Sequence, residues 1–206
     1  MSCQRTPALA ASTSAKHSAT TKAGEVSVRG TLAVASRAAG ALAVAAGAIA
    51  AVTSVTVASG ARRWLAYPFA GIPARPGEAA AIFLHNLRAL SALVGLLLVA
   101  QSPYWAGKAD GGPLHRTIRG AGEVLLTAGG SANVIVVGAS LGAYGPRMVR
   151  AVLPHGPVEL GAYALALALY SQGRNQPLPR QHALTVIASS ISLLALAAVL
   201  ETFVNV

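Results

Sequence analysis

Five long apolar stretches, separated by shorter polar segments, dominate the chain from residue 38 onward. They cover residues 38–59, 79–102, 123–144, 152–170 and 183–204. Each is close to the roughly 20 residues that an α-helix needs to cross the hydrocarbon core of a bilayer. None shows the alternation of apolar and polar positions, over about ten residues, that is typical of membrane β-strands. The pattern therefore predicts an all-α, polytopic membrane bundle of about five transmembrane helices.

The segments between these stretches predict an interfacial elbow and several loops. Residues 61–78 include Pro68, Pro73, Pro76, Trp64 and Tyr67. Aromatic rings next to a span are typical of headgroup depth, so this segment is predicted to be an elbow at the membrane interface. Residues 101–121 and 171–181 are predicted to be loops, and Arg147 and Arg150 mark a short basic loop.

The first 30 residues differ in character from the rest of the chain. Residues 1–30 are rich in Ser, Thr, Ala and Lys and lack apolar periodicity, which predicts a disordered tail. Residues 31–206 then form the helix bundle. A secretory signal peptide would place its apolar region much earlier. An amphipathic transit peptide stays an alternative, because no acidic residue precedes Glu25.

Composition agrees with lipid as the solvent of the bundle. Hydrophobic residues make up 54% of the chain and charged residues 11%, against about 25% charged residues in soluble domains. The net charge is +10, but the basic residues lie mostly between the apolar stretches, as expected near anionic headgroups. We therefore expect membrane lipids as partners and no nucleic acid. Cys3 is the only cysteine, which excludes a disulfide framework or thiolate metal site within one chain.

The distribution of basic residues predicts the orientation of the bundle. With five spans the termini lie on opposite sides, and ten basic residues then share the side of the tail while five lie on the other. The positive-inside rule favours a cytoplasmic N-terminus. Five of those ten belong to residues 1–37, and without them the two sides are level.

A few ionisable residues fall within the predicted spans. Because a charge in hydrocarbon is costly, each is a candidate functional residue; they are Arg88, Glu123, His155, Glu159 and Glu201. Glu123 opens the third stretch and is predicted to be a dipole-favoured helix cap. Glu201 is either an acid at headgroup depth or a buried partner for His155 or Arg88.

The segment 153–160, Leu-Pro-His-Gly-Pro-Val-Glu-Leu, is the most informative. Its prolines can begin a helix but cannot continue one, which predicts a broken fourth helix. If the helix begins near Pro157, Glu159 lies in its first turn at the positive end of the dipole, where His155 could pair with it. Two interpretations stay open: a capped and kinked helix start, or a polar site at a broken helix of the kind that transporters use.

Enzymatic interpretations have weaker support in the sequence. Gly138, Ser140 and Gly142 match G-x-S-x-G, but that motif forms a nucleophile elbow only at a strand-to-helix turn. Gly138 and Gly142 also form G-x-x-x-G, which favours helix packing over an intramembrane hydrolase using Ser140. The histidines do not match H-E-x-x-H, and no Walker A sequence is present. We therefore expect no enzyme activity, no metal and no cofactor, and any energy from ATP would come from a separate subunit.

Three stretches resemble the stage II sporulation protein M family. Residues 153–162 look like the family's P-H-G-x-x-E-[LI]-x-A signature, and residues 197–204 are similar to its A-A-x-[IL]-E-[AT]-[FY]-[IV] ending. Residues 83–88 resemble a segment usually written with paired Asn before a basic or small residue, with His85 in place of the first Asn. The resemblance runs from about residue 30 to the C-terminus.

The resemblance implies a five-span or six-helix membrane protein without known catalysis. In endospore formers, members belong to a septal membrane complex for peptidoglycan remodelling and engulfment. Relatives beside circular bacteriocin genes look like permease partners of a separate ATPase, aiding export or immunity. The Ala, Gly and Arg bias of this chain suits a high-GC bacterium, which argues against literal engulfment.

We therefore expect a non-enzymatic subunit of a complex in the bacterial cell membrane, acting as a scaffold or a permease-like component. The residues expected to carry this role are Pro154, His155, Gly156, Glu159, Glu201, Asn86 and Arg88. In this hypothesis the polar end of the broken helix packs against Asn86, Arg88 or Glu201 from other spans. A proton-coupled transporter using Glu159 and Glu201 stays an alternative. The partner subunits and a homo-oligomeric state stay open.

Overall fold

Seven α-helices make up the structure, a computed structural model that describes residues 28–67, 69, 73–107 and 112–204. They are α1 Val28–Thr56, α2 Ala58–Leu65, α3 Pro76–Trp105, α4 Gly112–Tyr144, α5 Pro146–Val152, α6 Gly156–Gly173 and α7 Arg180–Phe203. No strand occurs in these residues, which confirms the all-α class. Helices α1, α3, α4 and α7 are each long and apolar enough to cross a membrane, as is typical of a membrane protein.

Helices α5 and α6 form a bent pair. They meet at an angle of 65° across residues 153–155, where Pro154 and the following Gly156-Pro157 interrupt the run of backbone hydrogen bonds. Prolines also stand in the first turn of α3 and α5. Such positions suit proline because the first amides of a helix have no intrahelical partner. Gly145 joins α4 to α5 with φ +56°, a left-handed conformation that glycine adopts without steric cost.

Three boundaries differ from the sequence prediction. Helix α4 begins at Gly112 rather than at residue 123, so most of the predicted loop 101–121 is helical and Glu123 is not a helix cap. The basic loop around Arg147 and Arg150 forms α5, and the predicted elbow contains α2. Hydropathy marks where a helix meets hydrocarbon, and a polar helix that continues into the interface gives no apolar signal. The predicted tail lies outside the described residues up to residue 27, and α1 begins at Val28.

Helix α6 lies at the centre of the bundle, in contact with α1, α3 and α7. The largest fully buried apolar side chains come from α3, α6 and α7: Leu90, Leu97, Leu169 and Leu194. On the opposite side of α6, Ala164 and Ala168 pack against Ala35 of α1. Small residues let these two helix backbones approach closely, which favours dispersion contacts between helices in lipid.

Hydrogen bonds define the two ends of the bundle. At one end, which we call the tail end, Thr31 near the start of α1 bonds to Gln172 of α6 at 2.8 Å and lies 3.0 Å from His182 of α7. At the same end Gln101 of α3 donates to the carbonyl of Gly173. Consecutive long helices therefore run antiparallel. The opposite end holds the end of α7 and the break between α5 and α6, where the candidate site lies.

Candidate functional site

A cleft of about 350 Å³, here called the polar cavity, lies where α3, α6 and α7 meet. Five of the seven residues that line it are polar, although the surrounding helices are apolar. The residues that line it are Ala81, Ile82, His85, Asn86, His155, Glu159 and Glu201. Three separate segments of the chain contribute, so the cavity exists only in the folded bundle.

The helix break positions two of the lining residues. His155 occupies the cap position of α6, and its carbonyl oxygen accepts hydrogen bonds from the amides of Val158 and Glu159 at 3.1 and 3.0 Å. Glu159 therefore lies in the first turn of α6, where the helix dipole favours a carboxylate. A Cβ on Gly156 would collide with the side chain of Val152 at the end of α5. Glycine at this position thus allows α5 to end directly against the start of α6.

Two further contacts connect this helix start to its neighbours. The Nε2 atom of His155 lies 4.0 Å from Oε2 of Glu201, which is in the last turn of α7. On the other side, the hydroxyl of Tyr163, one turn along α6 from Glu159, donates to the backbone carbonyl of Asn86 at 3.0 Å. The polar cavity therefore has one wall from each of three helices, held by contacts that cross between them.

His155 and Glu201 are largely shielded by protein. Their side chains are 13% and 24% exposed. The Nδ1 atom of His155 is buried and has no hydrogen-bond partner within the described residues. A buried polar atom without a partner is uncommon in folded proteins and costs free energy. The site therefore retains hydrogen-bonding capacity that the folded chain does not use.

The structure brings together four of the residues singled out from the sequence: Asn86, His155, Glu159 and Glu201. Pro154 and Gly156 lie at the helix break beside them. Arg88, by contrast, is exposed on α3 and does not line the cavity. His155 approaches Glu201, and within the described residues no ion pair joins it to Glu159.

Sequence reasoning did not single out His85 as a site residue, although it lines the cavity. It also assigned Glu123 to a helix cap, whereas Glu123 accepts a 2.6 Å hydrogen bond from the hydroxyl of Tyr170 and lies 3.9 Å from Arg119. A signal for His85 existed, because it stands next to Asn86 within the segment that resembles the family. No local signal pointed to Tyr170 as a partner for Glu123, since the two are 47 residues apart.

Gly138 and Gly142 lie away from the polar cavity, where α4 crosses α1. A Cβ on Gly138 would lie 2.7 Å from the carbonyl oxygen of Ala46, and one on Gly142 would lie 2.8 Å from Cβ of Thr53. Ser140 lies between them inside the continuous helix α4, so the strand-to-helix turn of a nucleophile elbow does not occur there. No hydrogen bond joins its hydroxyl to a histidine in the described part of the chain.

The polar cavity combines two acidic side chains with neutral groups that donate and accept hydrogen bonds. In residues 28–67, 69, 73–107 and 112–204, no three histidine, cysteine or acidic side chains are grouped so as to hold one metal ion. The arrangement offers two carboxylates, an amide and two histidines to a ligand or to a neighbouring polypeptide. In comparisons with known proteins, no family model, no curated protein and no solved structure matches this chain.

Proposed function

We propose that this chain is a five-span subunit of a bacterial membrane complex, without catalytic activity of its own. In this proposal α5 and α6 together form the broken fourth span, and the N-terminus is cytoplasmic. The protein acts as a scaffold or a permease-like component, as its resemblance to the stage II sporulation protein M family implies. The polar cavity at the helix break is the part of the molecule through which it works.

One observation carries the proposal. The three stretches that resemble the family, residues 83–88, 153–162 and 197–204, are far apart in the sequence, yet each contributes residues to the polar cavity. Stretches chosen only for their sequence pattern would have no reason to meet at one place unless they serve a common site. Their meeting point supports a shared role for Asn86, His155, Glu159 and Glu201.

The position of the site suggests how it serves a complex. Broken helices are tolerated at membrane depth beside protein or a wet cavity, and their ends supply binding groups in transporters. In a scaffold, the polar cavity would receive a polar segment of a neighbouring subunit. In a permease partnered by a separate ATPase, which is the second candidate, it would form part of the path for an exported peptide. The bend between α5 and α6 supports this second candidate, because transporters use broken helices.

The test is complex assembly in cells that express the chain at its native level. Replacing both carboxylates, Glu159→Gln with Glu201→Gln, removes the charge of the cavity while keeping nearly the same volume. Glu78→Gln is the matched control, because Glu78 lies in the first turn of α3 and outside the cavity lining. Glu123 does not serve as a control, since it bonds to Tyr170.

Membranes are solubilised in a mild detergent and separated on a native gel, and the chain is detected by an epitope tag. We expect the wild type and Glu78→Gln to migrate in a complex larger than the purified chain. The double variant should lose most of that complex while remaining in the membrane. A wild-type chain that migrates only at the size of the purified protein would remove the proposal. Equal assembly of the double variant and the control would also count against the site.

If the larger complex contains an ATPase subunit, ATP-dependent export in reconstituted vesicles separates the two candidates. The permease alternative requires export that depends on both subunits and falls in the double variant. The scaffold alternative requires assembly without export.

A further inference from the structure

We propose that the polar cavity binds a primary ammonium group, carried either by a small amine in water or by the ethanolamine headgroup of a lipid. This proposal rests on the proposed function in one respect only, that the polar cavity belongs to a membrane protein. Its basis is the balance of charge and of hydrogen-bonding groups around the cavity.

The lining of the polar cavity carries an excess of negative charge. Glu159 and Glu201 both line it, and no lysine or arginine does. The lining groups that can become cationic are His85 and His155, and His155 lies 4.0 Å from Glu201. Glu123 shows the contrast elsewhere in the bundle, because it has both Arg119 and the hydroxyl of Tyr170 as partners. Two carboxylates at one partly buried site repel each other, and a bound cation would relieve that repulsion.

The neutral groups of the cavity are also able to accept hydrogen bonds. The side-chain amide of Asn86 makes no hydrogen bond within the described residues, and its oxygen can accept. The carboxylates of Glu159 and Glu201, which line the same cavity, accept hydrogen bonds as well. An ammonium group has three N–H donors and no acceptor. Its donors therefore match acceptors that the folded chain leaves unused.

The same arrangement disfavours other cations. A metal ion needs several donors within a short distance, and the described residues hold no such group of three. A quaternary ammonium group has no N–H to donate and is recognised instead by aromatic faces, whereas no Phe, Tyr or Trp lines this cavity. Selectivity for a primary over a quaternary ammonium group is thus the specific consequence of the proposal.

The position of the cavity makes it reachable from the membrane surface. Glu159 is in the first turn of α6 and Glu201 in the last turn of α7, so both carboxylates lie at helix ends rather than at the middle of the bundle. Solutes in water and lipid headgroups both reach this depth. The volume of about 350 Å³ is at the lower end of the range of small-molecule pockets, so it accommodates an ammonium group together with the atoms that carry it.

The first arm of the test uses the purified full chain in a neutral detergent. Thermal unfolding is followed while ethylammonium chloride, tetramethylammonium chloride or sodium chloride is added at equal ionic strength. We expect ethylammonium alone to raise the unfolding midpoint in a saturable way. The double variant, Glu159→Gln with Glu201→Gln, loses hydrogen bonds to a charged group. The ethylammonium concentration at half-saturation should therefore rise about tenfold or more in this variant. Glu78→Gln should respond like the wild type.

The second arm distinguishes the source of the ammonium group. The chain is placed in nanodiscs made of phosphatidylethanolamine or of phosphatidylcholine with the same acyl chains, and native mass spectrometry counts the lipids retained after release. Retention of phosphatidylethanolamine that is lost in the double variant identifies the lipid headgroup as ligand. Equal retention of both lipids, together with an ethylammonium response in detergent, identifies a small amine instead.

The proposal is overturned if tetramethylammonium or sodium stabilises the wild type as strongly as ethylammonium does. It is also overturned if the double variant keeps the wild-type response. If the double variant does not fold, Asn86→Ala replaces it, because this variant keeps both carboxylates. Asn86→Ala should raise the ethylammonium concentration at half-saturation several-fold, and an unchanged response would also overturn the proposal. If ethylammonium binding fails while the double variant loses assembly, the ammonium proposal is wrong and the proposed function stands. If ethylammonium binds while assembly does not depend on the two carboxylates, the ammonium proposal stands and the proposed function is wrong.

Discussion

The contact between α4 and α1 depends on the absence of a side chain at Gly142, so a single added methyl group should weaken the bundle. A Cβ at this position would lie against the carbonyl oxygen of Ala50 and 2.8 Å from Cβ of Thr53, whereas ordinary contacts of a Cβ are 3.4–4 Å. Helix backbone cannot yield as a flexible side chain does. The two helices would therefore have to separate by about 1 Å at this crossing.

Two opposing effects set the size of the change. Overpacking of a well-packed contact costs about 1–3 kcal/mol. Replacing glycine by alanine within a helix gains about 0.5–1 kcal/mol, because the unfolded chain loses conformational freedom. We expect Gly142→Ala to lower the free energy of unfolding by about 0.5–2 kcal/mol. Gly129→Ala is the matched control on the same helix, since a Cβ at Gly129 has nothing within 4 Å and should therefore only stabilise.

The free energy of unfolding is measured by titration of the purified chain from a mild detergent into sodium dodecyl sulfate, with the fluorescence of the two tryptophans as the signal. The expected result is a difference of opposite sign between the two variants. A distance measurement between spin labels on α1 and α4 should show the separation in Gly142→Ala alone. If both variants shift the unfolding transition equally, the close approach of α4 to α1 does not limit the packing of this bundle.

Two further predictions test the membrane topology and the hydrogen bonding at the tail end. Single cysteines are placed at Ala74, Ala106 or Asn175 in a variant that lacks the native cysteine, and an impermeant maleimide is added to intact cells. The cysteine at Ala74 should react, whereas those at Ala106 and Asn175 should be protected. A reactive Asn175→Cys would mean that α5 and α6 do not cross the membrane together. Gln101→Leu should lower the free energy of unfolding by about 2–4 kcal/mol, because this fully buried amide makes three hydrogen bonds, one to the end of α6 and two to the connection before α7. Exposed Gln181→Leu should change the free energy of unfolding by no more than about 0.5 kcal/mol.

The sequence predicted the class of the fold because a continuous apolar stretch of about 20 residues is what a helix needs to cross lipid. The predicted stretch 183–204 and helix α7 differ by only a few residues, since proline precedes the helix and its apolar residues continue almost to its end. The agreement is poorer at the start of α4, where residues 112–122 are helical but include basic residues. A helix that extends beyond hydrocarbon is stabilised by its backbone and by neighbouring helices, and neither contribution appears in hydropathy.

The candidate site was accessible to sequence reasoning for a related reason. Charged residues are rare in the apolar stretches, so Glu159 and Glu201 stand out from the sequence alone. Proline at the start of α6 also fixes the place of Glu159 within a helical turn. Arg88 stands out by the same rule, yet it is exposed on α3 and does not line the polar cavity. Rarity identifies a candidate, whereas the helix face on which it lies depends on how the helix is rotated in the bundle.

Glu123 shows most clearly what the sequence could not supply. Its interpretation as a helix cap followed from a boundary placed at the first apolar residue, and it is wrong because α4 begins at Gly112. In the bundle its carboxylate is balanced by Tyr170 and Arg119, whereas Glu159 faces a cavity that lacks an arginine or a lysine. The two residues are chemically identical, and the groups around each of them, from its own helix and from others, separate a structural acid from one with charge to offer a ligand. Because Tyr170 lies 47 residues from Glu123 in the sequence, its part in this distinction comes from the packing of helices. The ammonium experiment therefore addresses the cavity directly.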